Sequence, residues 1–303
     1  MRVGLRIAVA LSLLLAALTV TPRLSAQAIQ RFMYVSVVDD AGAPVLDLGP
    51  SDFVVREDNV AREVLAAAPA EEPMQIALLV DTSQQARNDI SHMRTALPPF
   101  VTALTNPNEA GRKNEVAIVA FGERPTIFTD YTTNPAELQK GINRIWSQQG
   151  SGAYLLDAVV EVVQGFKKRE AKRPVIVAIA AEGRELSYRS YEQVLTPLGD
   201  SSAVFYALMV GTPFNDLTDE GRSRSVVLDR GTVNTGGNRL QLLTPMALGD
   251  RLKQLASVLA HQYKVTFARP QSLIPPEKTT VTTTRAGATA RGRLAKEQQQ
   301  DRP

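Results

Sequence analysis

Residues 74–81, MQIALLVD, decide the fold: an unbroken apolar run ends in a single aspartate, without the alternation of a strand that has one wet face. Strands covered by helices on both faces read this way. Three more such runs follow, EVAIVAFG at 115–122, PVIVAIA at 174–180 and AVFYALMVG at 203–211, with the short alternating stretch TIFTDYT at 126–132. Between them lie segments of helical period: 92–105, 135–146, 153–166, 191–199 and 247–262. Apolar strands alternating with amphipathic helices predict an α/β fold, a doubly wound, mostly parallel sheet spanning residues 71–268.

Before this domain, residues 29–70 alternate like short strands around turns at Gly42-Ala43-Pro44 and Asp58-Asn59, which predicts a small β module docked on the α/β domain. After it, residues 269–285 predict a C-terminal strand extension, and the polar residues 286–303 a disordered tail. Residues 212–242, rich in Gly, Asp, Ser and Thr, predict a long loop with a short hairpin around SVVLD and RLQLL.

The first 28 residues carry Arg2 and Arg6, an apolar run from Ile7 to Val20 and a small-residue site ending Ala26-Gln27-Ala28. That order is a secretory signal peptide, so the chain is expected to be exported, to the periplasm or beyond. An uncleaved anchor is the alternative, although the run is shorter than the ~20 residues a spanning helix needs. The chain has no cysteine, which excludes disulfides, thiolate metal sites and lipidation of an N-terminal Cys. Its net charge of +3 does not point to nucleic acid: losing Arg2, Arg6 and Arg23 reduces 34 basic side chains to 31, matching 31 acids. The basic cluster Lys167, Lys168, Arg169, Lys172 and Arg173 reads as a solvated helix end.

In an open α/β sheet, ligands bind beyond the C-terminal strand ends. There the first run continues as LLVDTSQQ, and Asp81 with Ser83 offers oxygen ligands suited to a hard divalent cation. At this point the chain resembles the von Willebrand factor A (VWA) domain, whose metal-ion-dependent adhesion site opens with DxSxS. Within that superfamily it is similar to exported bacterial VWA-related proteins, through VSVVDDAGAPVLDLGPSDFVVREDN (35–59), RPVIVAIAAEG (173–183) and ALGDRLKQLASVLAHQYKVTFARP (247–270).

The resemblance implies Mg2+ or Mn2+ as the cofactor, held by Asp81, Ser83, Gln85 and Glu182, but the motif is degenerate. Gln85 stands where the pattern has serine, Ala153 where it has threonine, and Glu182 where it has aspartate. Two readings of Asp81 and Ser83 stay open: metal ligands, or caps for the backbone N–H groups of the next turn.

Enzyme motifs are missing. His92 and His261 are the two histidines, neither at motif spacing with a carboxylate or serine, and Gly150-Ser151-Gly152 reads as a helix-leading turn. Trp146 is expected to pack on the core at a helix end, and Asp157 with Glu161 to form a solvated helix face or dipole partners. The expected function is an exported protein-binding module, for adhesion or scaffolding, whose face around Asp81, Ser83, Ser151, Gly152 and Glu182 meets a protein partner of unknown identity. A structural protein self-associating through strands at 31–66 and 262–284 is the alternative; an enzyme acting on an envelope polymer is a residual.

Overall fold

The computed structural model describes residues 29–108, 110–270 and 274–295, so residues 1–28, read above as a signal peptide, and the last eight residues lie outside the described residues. A six-stranded sheet forms the centre, in the order β10-β9-β8-β5-β6-β7. Its strands are β5 (Gln75–Val80), β6 (Glu115–Ala120), β7 (Thr126–Thr132), β8 (Pro174–Ala181), β9 (Val204–Val210) and β10 (Arg239–Leu242). All neighbours run parallel except β7, which closes one edge antiparallel to β6. The doubly wound α/β sheet read from the apolar runs is therefore present, and every residue of β8 is buried, as its unbroken apolar sequence requires.

Helices cover both faces. Ile90–Thr105 (α1), Pro135–Asn143 (α2) and the last helix, Leu248–Ala260, bury Met93, Leu97, Phe100, Leu138, Leu252 and Leu259 against one face. Leu155–Lys168 (α3), Tyr191–Asp200 (α4) and Asp219–Val226 (α5) cover the other, with Leu156, Val159, Phe166, Leu198 and Val227 in that core. The last helix is α6 below. Chain order reverses at β5, whose neighbours are β6 on one side and β8 on the other. The crevice above β5 and β8 is thus the topological switch point.

The segment 212–242 departs from the expected loop and hairpin. SVVLD is helical, continuing α5 through a π turn at Val227–Gly231, and RLQLL supplies β10, parallel to β9. Buried Val227 and Leu228 give this polar stretch the anchor that its composition conceals.

The flanking strands form a β-sandwich. One sheet is β13-β1-β11-β4, from Ala288–Leu294, Ile29–Asp39, Tyr263–Arg269 and Val64–Pro69; the other is β12-β2-β3, from Thr279–Thr283, Phe53–Glu57 and Val60–Arg62. Met33, Val35, Phe53, Val55, Tyr263, Val265 and Phe267 fill the space between them. The strands of residues 29–70 share their sheets with later ones, since β1 and β4 pair with β11 and β2 pairs with β12. One expectation is corrected: disorder does not begin at Ala286, because β13 pairs with β1 from Ala288 opposite Asp39 to Leu294 opposite Met33.

Residues Met33–Val37 of β1 are buried without alternation, since the second face of this stretch lies on the α/β domain. The seam is polar. Arg173 Nη1 donates to Glu72 O at 2.6 Å and Nη2 to Gln262 Oε1 at 2.6 Å, while Gln262 Nε2 donates to Ser36 Oγ at 2.8 Å. The guanidinium lies 4.6 Å from the Tyr34 ring centre, a cation–π contact. Arg173 thus leaves the solvated cluster it was read into; Lys167, Lys168, Arg169 and Lys172 stay exposed. Its fixed planar fork matches carbonyls on two chain segments, which a lysine could not do.

Candidate functional site

Asp81 and Ser83 follow β5 at the switch point, and neither has any exposed surface. Asp81 Oδ1 accepts from Ser83 N at 2.8 Å, and Oδ2 accepts from Ala181 N at 3.0 Å, tying the end of β5 to the end of β8. Burial raises the carboxyl pKa, opposed by Ser83, the Ala181 N–H and the positive charge of Arg224. Ser83 Oγ is buried and meets no partner in hydrogen-bond geometry. Ser147 Oγ donates to Ser83 O at 3.1 Å and Gln148 N to Thr82 O at 2.9 Å, so the 147–152 loop closes over the same turn.

Gln85 is spent on the backbone. Its Nε2 donates to Arg184 O at 2.9 Å, and its Oε1 accepts from Arg184 N. The amide thereby mimics a strand neighbour and fastens the β5 loop to the β8 loop. Ala153 brings no oxygen from its side chain; its backbone bridges to Glu185, and its carbonyl accepts from Leu186 N at 2.8 Å. Ser151 is half-buried, its Oγ donating to Gln148 O at 2.6 Å. Gly152 does not reach the contact face assigned to it, because it is buried beneath Leu186, whose side chain occupies the space that any Cβ would need.

Glu182 extends the end of β8 and is also buried, at 7% side-chain exposure. Two arginines face it: Arg224 Nη1 at 3.8 Å from Oε2 and Arg239 Nη2 at 3.7 Å from Oε1. Arg224, from α5, is 5% exposed. Its Nη1 donates to Gly183 O at 2.7 Å and its Nη2 to Ala181 O at 2.9 Å, while Nε lies 3.8 Å from Glu185 Oε2. A permanent cation therefore sits among Asp81, Glu182 and Glu185. Sequence reasoning missed Arg224 because it lies between serines in a stretch read as loop, with no motif to mark it.

Glu185 Oε1 accepts from Ser187 N at 3.2 Å and Leu156 N at 3.4 Å, at the start of α3. Burial pushes its carboxyl up to about 7, opposed by Ser187, Arg224 and the Leu156 N–H. The unfolded carboxyl titrates near 4.5, so the native state holds the extra proton between that pH and about 7. Folding stability from this group is complete below pH 4.5 and falls as pH rises through 7, by roughly 3 kcal/mol at most. Denaturant melts across that window are expected to show the decline in the wild type and a flatter profile in Glu185→Gln; parallel profiles would sink the assignment.

Apolar side chains surround this floor. Trp146 is 61% exposed rather than packed in the core, with Arg94 4.3 Å from its ring centre and Nε1 donating to Asn143 O at 3.1 Å. Tyr188, in the loop after β8, is 90% exposed; Phe214 and Leu217, after β9, are 49% and 70% exposed. Asp157 neither stands alone nor pairs with Glu161, since it accepts from Arg189 Nε at 2.6 Å. Among the described residues no group of three or more His, Cys, Asp or Glu side chains is placed to hold a metal ion, and no helix is long and apolar enough to cross a membrane.

Residues 76–183 match the family model of the von Willebrand factor type A domain. No curated protein sequence matches the chain. Among solved structures, a von Willebrand factor type A protein from Catenulispora acidiphila is similar at 11% identity and a TM-score of 0.50, over 91% of this chain and 76% of that one. Proximal thread matrix protein 1 from the mussel byssus, solved with zinc in its MIDAS motif, is similar at 16% identity and a TM-score of 0.50, over 67% of this chain and 49% of that one. The chain spans about half the length of the mussel protein, and both likenesses are of fold alone. The matched residues 76–183 lie within the central α/β unit, from β5 to the loop after β8.

Proposed function

We propose that this von Willebrand factor type A domain is the protein-binding module of an exported protein, and that it holds its partner through an apolar loop face without a metal ion. The observation that carries the proposal is the position of Arg224 among the three acids that flank the adhesion-site position. The residues present do not fit Mg2+ or Mn2+. Asp81 is bonded through both oxygens to backbone N–H groups, Gln85 Oε1 is taken, Ala153 offers no ligand and Glu182 faces two guanidinium groups. Of the implied ligand atoms, Ser83 Oγ and Glu182 Oε1 lack a hydrogen-bond partner, and the second lies 3.7 Å from Arg239 Nη2. A dication there would also meet a fixed positive charge in a poorly screened interior.

With no metal ion at the centre to attract a partner carboxylate, affinity falls to the rim. Trp146, Tyr188, Phe214 and Leu217 are the kind of exposed aromatic and aliphatic anchors that dominate protein interfaces. Export rests on the reading of the N-terminal 28 residues, and binding rather than catalysis rests on a sequence without a recognisable catalytic motif.

Two measurements test this reading. Calorimetric titration of the chain from Ile29 onward with Mg2+ and Mn2+ is expected to give no saturable heat up to about 5 mM, a concentration well above that of ordinary metal sites; saturable binding lost in Asp81→Ala would overturn the metal-free reading. Capture of envelope and secreted proteins on the immobilised domain is expected to survive chelator and to be lost in a Trp146→Ala/Tyr188→Ala variant. Capture that ignores both substitutions would remove the loop face as the site.

A further inference from the structure

An apolar trough runs between α1 and α6, away from the polar floor around Arg224. Its volume of about 480 Å3 lies within the range of small-ligand sites. Small side chains create it. Ala96 and Ala103 line it from α1, and Gly249, Ala256 and Ala260 from α6, at positions where larger residues would interlock as ridges in grooves. Ala96, Phe100 and Ala256 are buried and form the floor, while Pro99, Ala103 and Ala260 stand exposed on the rims. From His92 to Ala103 the α1 wall is roughly 16 Å long at the rise of a helix.

The two ends of the trough differ. Strands β5 and β10 belong to the parallel part of one sheet and lead into α1 and α6, so both helices start at the same end. That end holds His92, Gly249 and Met246, the last 78% exposed and, as a flexible thioether, able to fold over an apolar chain. A long side chain on a helix leans back over the preceding turn, which carries the Lys253 ammonium toward Gly249 and the same end. Further along, the walls are apolar apart from Ser257 and from Thr95, whose hydroxyl already donates to Ser91 O at 2.9 Å.

The charge of the trough has one sign. No aspartate or glutamate lines it. Among the described residues Lys253 takes part in no ion pair and no hydrogen bond, whereas His92 has Asp89 near enough to act on it. The unanswered charge is therefore that of Lys253. A trough that is apolar along its length and positive at one end matches a slender molecule of the opposite polarity, apolar with a single negative head. A phospholipid, with two chains, exceeds its volume.

We propose that the trough binds a single-chain carboxylate, a fatty acid of medium length, with its carboxylate on the Lys253 ammonium beside His92 and its chain lying along Ala96, Phe100 and Ala256 toward Ala103 and Ala260. Burial of the chain supplies the affinity, and Lys253 fixes its direction. The site is separate from the loop face and does not depend on that reading.

The test is calorimetry on the chain from Ile29 onward with hexanoate, octanoate and decanoate, each below its micellar concentration, and with decylamine as the cationic control. Decanoate is expected to bind saturably, with affinity rising about threefold or more for each added pair of methylenes. Decylamine is expected to bind about threefold or more weaker than decanoate, and Lys253→Glu to reverse that order. Ala103→Leu/Ala260→Leu places a good helix former at two exposed positions. It is expected to fill the far end and weaken decanoate about tenfold, with the melting temperature unchanged, whereas Trp146→Ala/Tyr188→Ala leaves decanoate binding as it was. No saturable binding of decanoate up to about 2 mM, a limit weaker than typical ligand affinities, would overturn the proposal. So would an affinity indifferent to chain length or to the sign of the head, or one that survives the double leucine variant. Co-sedimentation with anionic phospholipid vesicles that is lost in the same variants would overturn it in favour of a membrane surface.

Discussion

Replacing Arg224 with methionine is expected to destabilise the protein by about 3–5 kcal/mol, the usual consequence of leaving one half of a buried ion pair behind. The guanidinium holds the carbonyls of Ala181 and Gly183 and offsets Glu182 and Glu185, whose side chains are 7% and 0% exposed. Methionine fills similar volume but leaves two carbonyls and Glu185 without their cation, and Glu182 with Arg239 alone. The triple variant Arg224→Met/Glu182→Gln/Glu185→Gln is expected to recover part of the loss, because it removes the stranded charge. Arg224→Lys should fall between, keeping the charge but not the fork that spans two carbonyls. Urea denaturation of the four proteins at one pH measures all of this. An Arg224→Met protein as stable as the wild type would show that the acids need no resident cation.

Ending the chain at Arg285 is the second large change, with an expected loss of about 3 kcal/mol or more as judged from the apolar contacts and sheet pairing removed. Strand β13 pairs with β1 over seven positions and brings Ala288, Ala290 and Leu294 onto the sandwich core. Arg293 reaches across the seam to the carbonyls of Asn234 and Gly199. The truncated chain should melt at a lower temperature and bind hydrophobic dye, since β1 would become an edge above Met33 and Val35. An unchanged melting curve would mean that β13 contributes nothing to the sheet.

These two sites show where the sequence was legible and where it was not. The four apolar runs announce buried parallel strands through composition alone, so β5, β6, β8 and β9 could be placed to within a few residues. β13 could not, because ATARGRL has small and basic residues where a strand usually shows branched or aromatic ones. Gly292 explains that composition: a side chain there would press on Val35 and Met33 of the neighbouring strand. The site was legible in part. Asp81, Ser83 and Glu182 do converge at the switch point, as position at strand ends predicts. Gln85 and Trp146 were misjudged because their fate depends on what faces them, the Arg184 backbone for one and open solvent with Arg94 for the other. Arg224 is some forty residues from its partners in sequence, and only the fold brings it to them.

The sandwich imposes an order of assembly. Among the described strands β1 is made first, yet both of its sheet neighbours, β11 and β13, are the products of much later sequence. Such pairings have high contact order and close slowly. The α/β unit, whose strands meet partners much nearer in sequence, can form while β1 still waits with Met33, Val35 and Val37 uncovered. For most of the time between emergence and completion, then, the exposed leading strand is the part of this protein most prone to meet a second copy, and the interval ends only when the last strand arrives.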